Sequence, residues 1–141
     1  LFFTGFARSA SEVAGEQIRE TPHRSVELAQ MQAMVGEAEK ILAAGLGGLD
    51  DFGRLLHESW LLKRGLTTRI TTPFIDELYE KALAAGSVGG KLLGAGGGGF
   101  LLFYVRPEDQ ARVKEVLGLL HVPFAFERLG SQIIYQMPND V

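Results

Sequence analysis

Gly94-Ala95-Gly96-Gly97-Gly98-Gly99 places five glycines in six positions. Lacking a Cβ, such a backbone takes up positive φ and lets a ligand approach closely. Successive N–H groups in a turn of this kind converge into a concavity that binds anions. The plainer alternative is a hairpin turn with spare glycines, but a two-residue turn closes a hairpin with less entropy lost. Concentrating glycine here therefore points to close approach of a ligand.

The segment after the glycines limits the chemistry. Gly94, Gly96 and Gly99 satisfy G-x-G-x-x-G, yet a dinucleotide fingerprint requires a helix next, and Phe100-Leu101-Leu102-Phe103-Tyr104-Val105 is strand-like. A Walker loop needs Lys-Ser/Thr after its last glycine, where Phe100 stands. Protein kinases do set a glycine loop between two strands, but their HRD and DFG signatures do not occur in this sequence.

Other chemistry-bearing residues have simpler readings. His23, His57 and His121 share no metal-ligand spacing. Glu12, Glu16 and Glu20 form an i, i+4 acidic row expected to face solvent. Asp50-Asp51 and Asp76-Glu77 read as helix-start charges rather than an acid/base pair, with Asp50 or Asp51 as an N-cap. Ser9 and Ser11 read as helix caps, and Trp60 and Tyr79 as core.

The elements that must position the loop are read from periodicity. Leu1 to Thr4 reads as a short buried strand and Ser9 to about Arg19 as helix. A helix over 25–44 carries Leu28, Met31, Val35, Ala38 and Leu42 on one face, and Gly45, Gly47 and Gly48 end it. In the next helix Phe52, Leu55, Leu56, Trp60 and Lys63 share a side, with Lys63 and Arg64 at the C-terminal end favoured by the macrodipole. Thr72-Pro73 opens another, a hydroxyl cap before proline at N1, with Ile75, Leu78, Tyr79 and Ala82 as its buried stripe and Gly86 as its stop.

From Gly89 the pattern becomes strand, loop, strand. Pro107-Glu108-Asp109 then opens a helix with Val113, Val116, Leu117 and Leu120 inward. Strands are expected over 122–127 and 132–136, joined at Leu129-Gly130. With the extra helices and last strand set aside, this is β-α-β-β-α-β, an α+β, ferredoxin-like (split βαβ) domain with an expanded helical first crossover, filling residues 1–141.

The run Gly89-Gly90-Lys91-Leu92-Leu93-Gly94-Ala95-Gly96-Gly97-Gly98-Gly99-Phe100 resembles the third conserved motif of the GHMP kinases (galactokinase, homoserine kinase, mevalonate kinase, phosphomevalonate kinase). That motif lies between two strands of their ferredoxin-like C-terminal domain. Phe2-Phe3-Thr4-Gly5, Arg8-Ser9-Ala10, Glu58-Ser59-Trp60, Lys63 and Ile75-Asp76 make the chain similar to the D-glycero-D-manno-heptose 7-phosphate kinases, with fucokinase-like members close.

The resemblance implies a cytoplasmic enzyme that uses ATP and Mg²⁺ to phosphorylate a sugar, best the anomeric oxygen of heptose 7-phosphate. It also implies that residues 94–99 shape the phosphate and substrate site, with Lys91 and Arg8 as candidates for the substrate's own phosphate and Arg69 as a weaker third. The family's P-x-x-x-G-L-G-S-S loop and catalytic base belong to an N-terminal domain that no segment here matches. No catalytic residue is therefore assigned within this chain. The chain alone is expected to lack activity, to bind neither ATP nor Mg²⁺ tightly, and to pair as a homodimer through apolar surface. Fucokinase-like activity, or a non-catalytic small-molecule-binding regulatory module, are the alternatives.

Composition agrees with a globular domain large enough to bury a core. The net charge of −3 gives no basic footprint for nucleic acid. There is no cysteine to supply a disulfide, nucleophile or thiolate metal site. No apolar run approaches the roughly 20 residues of a membrane span, and no signal peptide is seen. A start at Leu1 within an apolar run reads as one cut from something longer.

Overall fold

The computed structural model describes residues 1–6, 10–127 and 129–134. Strand β1 (Phe2–Phe3) is followed by four helices: α1 (Ala10–Glu20), α2 (Ser25–Ala43), α3 (Leu49–Arg64) and α4 (Pro73–Ala84). Strands β2 (Ser87–Leu92) and β3 (Phe100–Val105) flank the glycine loop, and helix α5 (Gln110–Leu117) leads to β4 (Leu120–His121). The sheet order is β2-β3-β1-β4 with every neighbour antiparallel. This is the expected split βαβ arrangement, with α1 to α4 as the enlarged first crossover.

Helix α4 shows how local chemistry builds the fold. Thr72 is extended, and its side chain accepts from Ile75 N–H at 3.3 Å, with Pro73 at the first helical position. Ile75, Leu78, Tyr79 and Ala82 are buried as their spacing predicts. Gly86, at φ 108°, lets the chain turn straight into β2. The core joins these residues to Phe2, Val13, Trp60, Ile70, Leu92, Leu101, Val113 and Leu117.

β2 is an edge strand, and its outward backbone groups are satisfied by side chains. The Tyr79 hydroxyl donates to Gly90 O at 3.1 Å and accepts from Gly90 N–H at 3.2 Å. His57 Nδ1 sits 2.7 Å from the same hydroxyl. Ser87 Oγ donates to Gly89 O at 3.1 Å. A Cβ on Gly89 would overlap Gly53 O, so α3 lies on β2 almost backbone to backbone.

Several expectations need correction. Asp50 and Asp51 do not cap α3: Gly48 is the N-cap and both acids lie in the first turn, where the macrodipole favours them. Asp50 is turned to the Arg106 guanidinium, which holds its carboxyl below the usual range through that hydrogen bond. No residue of α2 is buried. Its packing partner is α3, so Leu28, Met31 and Ala38 are half-buried while Val35 is 58% exposed and Leu42 faces water.

At the C-terminal end, α5 stops at Leu117, with Gly118 left-handed at φ 58°. Val116 is exposed, and Leu120 belongs to β4 rather than to the helix. No strand forms over 122–127, nor over the described part of the expected partner, 132–134; the rest of that partner and Arg128 lie outside the described residues. Beyond Val122 no described strand lies alongside residues 123–127 to pair with them. The ladder pairs Phe2 with His121 and ends where Val122 N–H donates to Leu1 O at 2.8 Å.

Candidate functional site: the glycine loop

Residues 94–99 connect β2 to β3, and the loop is tied down by its surroundings. At its stem, Leu93 N–H donates to Phe100 O at 2.8 Å. From the α3–α4 connection, Ile70 O accepts from Gly97 N–H at 2.8 Å. From the exit of β1, Phe6 O and Thr4 Oγ1 accept from Gly99 N–H at 2.9 and 3.0 Å, and Thr4 N–H returns to Gly99 O at 2.8 Å. From α1, Gln17 Nε2 donates to Ala95 O at 2.8 Å.

Glycine is required by space as well as by dihedral. Gly96 has φ 122°, and a Cβ there would stand 2.8 Å from Ile70 Cα. At Gly98 a Cβ would reach Phe6 O at 2.9 Å. The loop is thus wedged between β1 and the α3–α4 connection, not a slack turn with spare glycines. With Gly97 and Gly99 bonded inward, the N–H groups of Ala95, Gly96 and Gly98 have no acceptor among the described residues. Such donors suit phosphate or sugar oxygens.

Two lysines stand at the entrance. Lys91 Nζ donates to Ser59 Oγ at 3.2 Å, and burial pulls its pKa down. Lys63 Nζ donates to Leu92 O at 3.1 Å and Gly94 O at 2.6 Å. Burial first, and the Lys91 charge second, depress Lys63 to about 8. Neither ammonium joins an ion pair among the described residues.

The remaining candidates are dispersed. Arg8 and Ser9 lie outside the described residues. Arg69 is turned to Glu16, Nε to Oε2 at 2.8 Å, so Glu16 is paired rather than merely solvated. Ser11 lies in the first turn of α1. Asp76 accepts from Thr71 Oγ1 at 2.8 Å and pairs with Arg64 at 3.6 Å, a structural use. His57 braces Tyr79, and the His121 ring packs 5.3 Å from Phe2. Among the described residues no three His, Cys, Asp or Glu side chains gather to hold a metal.

Clefts elsewhere do not include the loop. One of about 480 Å³ is lined by Glu16, Glu20, Arg24, Arg64, Thr67 and Thr68. Another of about 270 Å³ lies among Phe2, Phe103, Gln110, Val113, Lys114 and His121. Thr4, Gln17, Ile70 and Lys63 were not foreseen as loop partners. Lys63 alone carried a signal, as a cation on the same helix side as Leu55, Leu56 and Trp60.

The chain is similar to known proteins in sequence and in fold. The family model described as "GHMP kinases C terminal" matches residues 35–119. The chain is 31% identical over 120 residues to D-glycero-alpha-D-manno-heptose 7-phosphate kinase of Campylobacter jejuni, covering 83% of this chain and 34% of that protein. It is 27% identical over 123 residues to L-fucokinase/L-fucose-1-P guanylyltransferase of Bacteroides fragilis, covering 83% of this chain and 12% of that protein. The crystal structure of L. major mevalonate kinase in complex with R-mevalonate superposes with a TM-score of 0.70 at 19% identity, over 83% of this chain and 36% of that one. The chain thus spans about a third or less of the length of these relatives.

Proposed function

We propose that this chain, which belongs to the GHMP kinases as their C-terminal domain, forms one part of an ATP-dependent sugar kinase and supplies its glycine loop to the reaction site. The observation that carries the reading is the wedged 94–99 loop, in which the N–H groups of Ala95, Gly96 and Gly98 have no acceptor among the described residues. Phosphoryl transfer depends on positioning and on stabilising charge as it moves, and fixed backbone donors do both without reorganising.

The donor set of N–H and ammonium groups suits phosphate oxygens rather than a metal. The resemblance to the GHMP kinases assigns Mg²⁺, the nucleotide cradle and the catalytic base to an N-terminal domain. ATP, when bound there, supplies the transferred phosphoryl group. Residues 94–99 would line the acceptor side, with Lys91 and Arg8 as the candidates for the substrate's own phosphate.

The acceptor we favour is D-glycero-D-manno-heptose 7-phosphate at its anomeric oxygen. Similarity along most of the chain to a heptose phosphate kinase supports it, as do the half-buried ammonium groups of Lys63 and Lys91, which join no ion pair among the described residues. A fucokinase-like activity is the second reading, favoured by similarity over the same share of the chain. We place the enzyme in the cytoplasm; no helix among the described residues is long and apolar enough to cross a membrane.

By itself the chain is expected to be inactive and to pair as a homodimer, against which a monomeric mass at high concentration would count. The test of function is ADP release by the longer protein carrying this segment, with heptose 7-phosphate and fucose as acceptors and this chain as control. Turnover by the chain alone would contradict the assignment of base and nucleotide cradle to another domain.

A further inference from the structure

Beyond its charge beside the loop, Lys63 has an unusual placement. It lies in the last turn of α3, yet its ammonium turns back to β2 and donates to two carbonyls that bracket Leu93, those of Leu92 and Gly94. Leu93 is the stem of the loop, its N–H closing on Phe100 O. Leu92 and Gly94 differ in what they serve: Leu92 is fully buried in the core, and Gly94 begins the loop at φ 74°. One side chain thus ties the last core residue of β2 and the first loop residue to the same point on α3.

We propose that Lys63 is the positioning residue of the glycine loop, fixing through these two carbonyls the direction in which residues 95–98 present their N–H groups. The significance for catalysis rests on reading 94–99 as the phosphate and substrate loop; the mechanical part does not.

Charge matters to this role. Hydrogen bonds from an ammonium are roughly twice as strong as neutral ones, and a lysine that loses its proton keeps two donors but not that strength. Burial favours such a loss first, and the charge beside Lys63 adds to it. Lys91 on β2 repels it; Arg64, next on α3, is turned to Asp76 of α4; and the Tyr79 phenol, pushed up by burial to about 12, stays neutral. No carboxylate pairs with Lys63 among the described residues. Arginine would keep its charge throughout.

Amide exchange and amide chemical shifts test the mechanical part on this chain without any kinase assay. In Lys63→Gln, exchange at Leu93 and Gly97 should quicken by about tenfold or more, the change expected when a charge-assisted hydrogen bond is lost, while Leu78 and Tyr79 in α4 report an intact fold. Lys63→Arg should restore protection. In the unaltered chain, the Gly94 and Ala95 resonances should titrate with a midpoint near the Lys63 value of about 8, and in Lys63→Arg that titration should vanish.

In the longer protein, Lys63→Gln should lower kcat more than it raises KM for the sugar, with Lys63→Arg close to normal. Unchanged protection in Lys63→Gln, or loop resonances that do not titrate, would overturn the proposal even if the longer protein is a kinase. A loop that loosens in a protein with no kinase activity would leave the positioning role standing and remove only its catalytic meaning.

Discussion

Replacing Tyr79 by phenylalanine isolates the device that holds the edge of the sheet. Tyr79 has no exposed surface, and its hydroxyl serves both backbone groups of Gly90 as well as His57. In Tyr79→Phe the ring still fills its place against Trp60 and Phe103, so packing changes little. Gly90 N–H and C=O, which point away from β3, lose their partner in a buried setting. Leaving one such group unsatisfied costs roughly 1–3 kcal/mol, so the pair should cost about 2–5 kcal/mol.

That is a large share of the roughly 5–15 kcal/mol that holds an ordinary domain together. Urea unfolding followed by circular dichroism should show the midpoint falling by about 1–2 M at unchanged slope. His57→Ala, which leaves both Gly90 contacts in place, should cost only about 1 kcal/mol. A loss below about 1 kcal/mol in Tyr79→Phe would mean that the edge of β2 is satisfied some other way, and the reasoning would fail.

Gly89→Ala should destabilise by about 3 kcal/mol or more in the same urea assay, because the new Cβ meets the Gly53 backbone. Gly53→Ala should cost less, since it meets the movable side chains of Tyr104 and Val88. Stability should also rise with pH between about 8 and 10. Lys63 titrates near 8 when folded and near its ordinary 10.5 when unfolded, so across that interval the unfolded chain binds the extra proton. With solvent screening of the part-exposed ammonium allowed for, the effect is on the order of 1–2 kcal/mol, Lys91 acts in the same direction, and Lys63→Met should flatten the rise. Above pH 10 Tyr79 opposes it, since the folded phenol holds its proton to about 12.

Much of this architecture was legible in the chain. Thr72-Pro73 and the Ile75, Leu78, Tyr79, Ala82 stripe report a helix because cap, proline and periodicity are all local. The glycine run between two apolar strands was legible for the same reason. What escaped depends on partners far away in sequence. Asp50 reads as a cap until Arg106 is seen beside it, and the expected strand over 122–127 has no described strand to pair with beyond Val122. The tethers of the loop, Thr4 and Phe6, Gln17, Ile70 and Lys63, come from four separate segments, which no spacing rule connects. Tyr79 reads correctly as core, but its hydroxyl's duty to Gly90 becomes visible only once α4 lies against β2.

The most direct test of the central claim is coupled ADP release by the longer protein that carries this segment, with heptose 7-phosphate, fucose and mannose in parallel. Turnover with heptose 7-phosphate above the other two is expected, and none by residues 1–141 alone. No turnover with any sugar would contradict the claim and leave the glycine loop as a binding feature of a non-catalytic module.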